Sequence, residues 1–149
     1  MAVQFGMRCK LYITTGCTTG VGGGVGGGYT ELKAARDVTL NLETADADVT
    51  TRGNTGWRAT APTLKDASID FEFILDSDVS SANGVCGMHL LDAWLYSYGL
   101  WCKVLDNNGN GLVACCAIST FTRGEALEDA VKITVKMRPT YAADPPTWV

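Results

Sequence analysis

The chain has 149 residues, 46% of them hydrophobic and 19% charged, with a net charge of −4. That length fits one domain with a sizeable core, and the negative balance argues against a Lys/Arg surface built to grip phosphates. The most apolar stretch, 85–105, is interrupted by His89, Asp92 and Lys103, too polar a run to span a bilayer. With no charged segment leading into an apolar core at the start, a soluble protein without membrane association is expected. Six cysteines, at 9, 17, 86, 102, 115 and 116, include no CxxC pair and are expected to be reduced.

In chain order, residues 3–15 alternate with Phe5, Met7, Cys9, Leu11 and Ile13 on one face, the period of a strand. Residues 16–28 form a glycine-dense, low-complexity loop. It lacks the closing Gly-Lys-Ser/Thr of a phosphate loop and opens no helix, so a flexible or partner-ordered segment is expected rather than a nucleotide site. Residues 37–43 alternate again, with Val38, Leu40 and Leu42 opposite Asp37, Thr39, Asn41 and Glu43. The polar stretch 44–66 holds Trp57 in its middle and reads as a long interaction loop. Loops of that length usually have a task, and an aromatic side chain on one is a good contact anchor.

A further alternating strand is predicted over 67–75, with Ile69, Phe71 and Phe73 inward and Ser68, Asp70 and Glu72 outward. Over 85–99 the period becomes helical. Val85, Met88, Leu91, Leu95 and Tyr98 make an apolar stripe opposite His89, Asp92 and Tyr96, with Ser80, Ser81 or Asn83 to cap the start and Gly99 to end it. Residues 100–105, a turn at 106–111, residues 112–121, a turn at 122–125 and residues 127–137 complete a β-rich C-terminal half. The tail 139–149, with Pro139, Pro145 and Pro146, should lie extended on the surface. The expected fold is one mainly β domain over 1–149, a two-sheet sandwich or barrel with one packed helix.

No catalytic constellation, metal site or cofactor is expected. The run Asp106-Asn107-Asn108-Gly109-Asn110-Gly111 resembles the opening of a calcium loop, but its twelfth position is Ala117 and its flanks read as strands. His89 is the only histidine and has no nucleophile motif beside it. Asp70 and Glu72 share one strand face, whereas paired catalytic carboxylates converge from separate strands.

Several ordered blocks carry a family resemblance: Asp37-Val38-Thr39-Leu40-Asn41-Leu42, then Ala47-Asp48-Val49-Thr50-Thr51-Arg52-Gly53-Asn54-Thr55-Gly56-Trp57-Arg58, then Thr63-Leu64-Lys65-Asp66-Ala67-Ser68-Ile69-Asp70-Phe71-Glu72, and later Ile118-Ser119-Thr120-Phe121-Thr122-Arg123-Gly124-Glu125. Over residues 36–149 the chain resembles the tail tube proteins of long-tailed bacteriophages; the glycine-dense segment is not a feature of that family. The resemblance implies a non-enzymatic virion protein, assembled in the host cytoplasm. It further implies hexameric rings that stack into a tube, passage of DNA through the channel without specific binding, and tape measure, terminator and baseplate or initiator proteins as partners. Carried onto this sequence, Arg52, Trp57 and Arg58 become candidate contacts between rings, and Asp37, Asn41, Glu43, Asp70 and Glu72 candidate lumen residues. Two alternatives stand beside it. One is the inner tube of a contractile injection system or a gene-transfer particle; the other is a small carbohydrate-binding β module using Trp94, Tyr98 or Trp101.

Overall fold

The computed structural model describes residues 3, 8–14, 28–76, 78, 82–140 and 145–149. The glycine-dense 16–27, the expected strand positions Phe5 and Met7, and the expected caps Ser80 and Ser81 lie outside the described residues. Among the described residues, eight strands and one α-helix follow in the order β1 (Lys10–Ile13), β2 (Thr30–Glu31), β3 (Ala35–Asp48), β4 (Thr60–Ile74), α1 (Ala82–Leu95), β5 (Leu100–Leu105), β6 (Gly111–Gly124), β7 (Lys132–Pro139) and β8 (Thr147–Trp148). A mainly β domain with one helix is therefore what forms. All pairs are antiparallel and link the strands into one path, β2-β1-β5-β6-β7-β4-β3, with β8 added to β6. The expected division into two sheets takes the form of this single continuous path.

The core lies on one face of the path, where alternation sends every second side chain inward. Leu11 and Ile13 of β1, Ile69, Phe71 and Phe73 of β4, Ala114 and Cys116 of β6, and Ile133, Val135 and Met137 of β7 meet there. Helix α1 closes over them with Cys86, Leu90 and Ala93. Gly87 faces the Phe73 ring, where a β-carbon would stand 3.5 Å away, in ordinary contact. A smaller cluster of Trp101, Val113 and Cys115 is packed beside Tyr29. Burial raises the Tyr29 hydroxyl to about pKa 12, and the Lys103 ammonium stands 4.0 Å from its ring centre.

Three expectations are corrected. First, the predicted inward stripe of α1 is misplaced, because Met88, Leu91 and Leu95 are exposed. The helix is apolar on most of its circumference, so periodicity could not choose the buried side. Small residues, which permit close approach, marked it instead. Second, β3 and β4 run far past the predicted strands, as described below. Third, Cys115 is disulfide-bonded, so the expectation of fully reduced cysteines fails there. Cys9, Cys86, Cys102 and Cys116 are free, and the Cys102 and Cys116 sulfurs lie 3.3 Å apart in the core.

The turn at 106–111 closes a β5–β6 hairpin through Asp106, whose Oδ1 accepts the backbone N–H of Asn108 at 2.8 Å and of Asn110 at 2.9 Å. The tail returns as β8, pairing Trp148 with Leu112 and Thr147 with Val113.

Candidate functional site

Beyond the body of the sheet, β3 and β4 continue as a two-stranded arm. Pairing of β4 with β7 stops at Ile69↔Met137, while pairing with β3 runs on to Asp48↔Thr60. From Asp66 outward the arm is therefore a ribbon of about 20 Å at the rise of a strand, plus its tip. The segment read from sequence as a loop, 44–66, is this ribbon. Its strands were illegible because both faces meet solvent, which leaves no apolar–polar contrast to alternate. Pro62 sits beside a register shift between Thr44 and Asp46, the edge and bulge setting that a strand proline tolerates.

The tip is locally ordered. Asp48 Oδ1 accepts the Thr50 N–H at 2.9 Å, and the Thr50 hydroxyl accepts the Ala59 N–H at 2.9 Å while lying 3.2 Å from the Ala59 carbonyl. The hydrogen bonds from Thr50 to Asp48, with Arg58 3.5 Å away, hold the Asp48 carboxyl below its ordinary range. A 3-10 turn over Arg52–Asn54 follows, and the Trp57 N–H closes onto the Asn54 carbonyl at 3.0 Å. The structure thus brings Arg52, Trp57 and Arg58 together at the end of the arm, with Trp57 79% exposed.

The second candidate surface is the polar face of β3, β4, β7 and the outer half of β6. Directly paired residues share a face, so the register places Thr39 and Asp70, Asn41 and Ser68, and Glu43 and Asp66 together. It adds Lys136 opposite Asp70 and Thr134 opposite Glu72. Asn41 donates to Ser68 Oγ at 3.2 Å and to Asp70 Oδ2 at 3.3 Å, and Arg138 stands 3.7 Å from Asp66. Four of the five predicted acidic or amide residues, Asn41, Glu43, Asp70 and Glu72, therefore do share one face. Asp37 does not join their register, because it falls in the bulge between Arg36 and Thr39 with φ 49°.

Sequence reading did not bring to this face its cations, Arg36, Lys132, Lys136 and Arg138. The alternation of β7 had put Lys136 away from the core, but which strand lay beside β4 was not legible. The face is thus mixed in charge rather than an acidic stripe.

This four-strand section has two open edges. Among the described residues no strand pairs with the outer edge of β3, nor with 117–124 of β6 on the side away from β7. Such edges are templates for further strands unless blocked. The aromatic residues of the carbohydrate-binding alternative do not form an open platform: Trp101 is buried, Tyr98 half-buried, and Trp94 lies on the outer side of α1. No group of three metal-ligating side chains occurs among the described residues, and none of their helices is long and apolar enough to cross a membrane.

No protein-family model matches the chain, and no curated protein matches it in sequence. Solved structures do match its fold. One is a subunit of the tail of an empty gene transfer agent particle, reconstructed with C6 helical symmetry, at TM-score 0.68 and 13% identity over 99% of both chains. Another is the SPP1 tail tube, at TM-score 0.63 and 13% identity over 91% of this chain and 75% of that one. A third belongs to the baseplate of the anti-feeding prophage, at TM-score 0.56 and 8% identity over 100% and 97%. The fold is that of tail tube subunits, as the resemblance implied.

Proposed function

We propose that the chain is a structural subunit of a phage-like tail tube, forming hexameric rings that stack around a channel through which DNA leaves the particle. The observation that carries this reading is the match over 99% of both chains to a subunit of a C6-symmetric tail. Two further features support it. The four-strand section has free edges at β3 and β6, so head-to-tail repetition could continue one sheet around a ring. The arm, with Trp57 at its end, can reach a neighbouring ring.

In this assembly the face of Asn41, Glu43, Asp70 and Glu72 lines the lumen. Its carboxylates Glu43, Asp66, Asp70 and Glu72 stand against Arg36, Lys132, Lys136 and Arg138, four against four, so the face carries no cationic excess to hold DNA phosphates. The chain performs no chemistry in this role. Its partners are other copies of itself and the tail proteins that start, measure and end the tube; its place is the virion tail after assembly in the host cytoplasm.

A second reading, the inner tube of a contractile injection device, is favoured by the likeness to the anti-feeding prophage baseplate subunit. It keeps the rings and changes the cargo. Negative-stain electron microscopy over a concentration series tests the common part: hollow rings or tubes of uniform width are expected. A chain that stays monomeric, even when seeded with its own tail initiator complex, would overturn it. Detection of DNA or of protein inside native particles then separates the two readings.

A further inference from the structure

Helix α1 carries two apolar faces, and the domain uses one. Cys86, Leu90 and Ala93 are buried against the sheet. On the other side Met88, Leu91, Trp94 and Leu95 are between 44% and 57% exposed. At 100° per residue these four span an arc of about 120°, as wide as the stripe a surface helix normally turns to its core. A helix that is apolar around most of its circumference belongs inside a larger body, and a contiguous exposed patch of this kind marks a contact surface.

The arm has the matching deficit. Leu42, Val49, Trp57 and Leu64 are exposed along it, Trp57 at 79% and Leu64 at 81%. A two-stranded ribbon alone is marginally stable in water. Both surfaces are exposed within one chain, so the arm does not cover the α1 of its own chain. Charge agrees as well: Arg52 stands beside Trp57 at the tip, while Arg58 is already paired with Asp48 of the same arm, and Asp92 lies at the margin of the α1 face. Two different patches that fit each other make a heterologous contact, which propagates into rings or helical stacks.

We infer that the outer face of α1 is the seat for the Trp57-bearing arm of a second copy of this chain, a contact that rests on the tube reading and names its receptor. Trp57→p-benzoylphenylalanine keeps an aromatic group at the tip and forms covalent bonds on illumination. In tubes assembled from a mixture of isotopically light and heavy copies, the cross-link should fall between chains, on the peptide holding Met88 to Leu95. Cross-links in intact tubes that map to any other surface would overturn this inference and leave the tube reading standing. Failure of the unmodified chain to form tubes under seeded conditions would remove both. Leu91→Glu supplies a second readout: it should leave thermal melting unchanged, since the residue is exposed, and raise the concentration needed for assembly about tenfold or more. Adding Trp57→Lys should then recover part of that loss, whereas simple addition of the two losses would argue against the pairing.

Discussion

Asp37, Thr55 and Ser97 hold left-handed backbone at φ 49°, 47° and 55°. That region costs an L-residue roughly 1–2 kcal/mol, less for Asp, whose short polar side chain bonds locally. Ser97 follows the last turn of α1, two residues before the glycine expected to end it, so Tyr98 rather than a later residue bonds back to the Ala93 carbonyl at 3.2 Å. Ser97→Gly should raise unfolding stability by about 0.5–1 kcal/mol in a urea titration, with a smaller gain from Asp37→Gly. Gly111 is the opposite case. A β-carbon there would collide with the Val104 carbonyl oxygen, so Gly111→Ala requires a backbone shift and should cost about 1–3 kcal/mol. Asp48 gives the tip a pH dependence. Its folded pKa lies below the ordinary carboxylate range, lowered first by the Thr50 hydrogen bonds and then by Arg58, so its contribution is whole above that ordinary range and is lost as pH falls through the lower folded value. Protection of the Thr50 and Ala59 amides, relative to their intrinsic exchange rates, should fall in that acid window, and Asp48→Asn should remove the fall.

At the scale of elements, the body was legible wherever one face met the core. Ile69, Phe71 and Phe73, and Ile133, Val135 and Met137, alternate in the sequence and are buried in the structure. The arm was hidden for the converse reason, since its residues alternate between solvent and solvent. Its task could be suspected from Trp57 and the family blocks, but its strand pairing could not. For α1, Leu90 and Leu91 separate the two faces. Leu90→Ala should destabilise the domain by about 2–4 kcal/mol by opening a cavity, while Leu91→Ala should stay within about 1 kcal/mol; parallel thermal melts distinguish them. Replacing 49–59 with an Asn-Gly turn should preserve a folded monomer, because the core lies elsewhere, and should abolish tubes in electron micrographs.

For the molecule as a whole, what the sequence could not show was adjacency. The strand order that places Lys136 beside Asp70 is a property of topology, and it sets cations next to the carboxylates of Asp70 and Glu72 on a balanced face. Lumen placement predicts a specific defect. Asp70→Lys with Glu72→Lys should leave tube assembly intact, because these side chains make no core contact, and should slow DNA exit by giving phosphates a cationic stopping point. Particles of normal length that release DNA about tenfold more slowly would fit; unchanged release would place this face elsewhere.

The arm also has a mechanical meaning. Its root is fixed by pairing with β7 and its outer ribbon is held only strand to strand, so it works as a lever. A rotation of about 5° at the root moves the end of a 20 Å ribbon by about 2 Å, little more than the play in a side-chain contact. A stack of such subunits can bend through many small hinge movements while each tip stays seated, and flexibility becomes a property of the joints rather than of the rings.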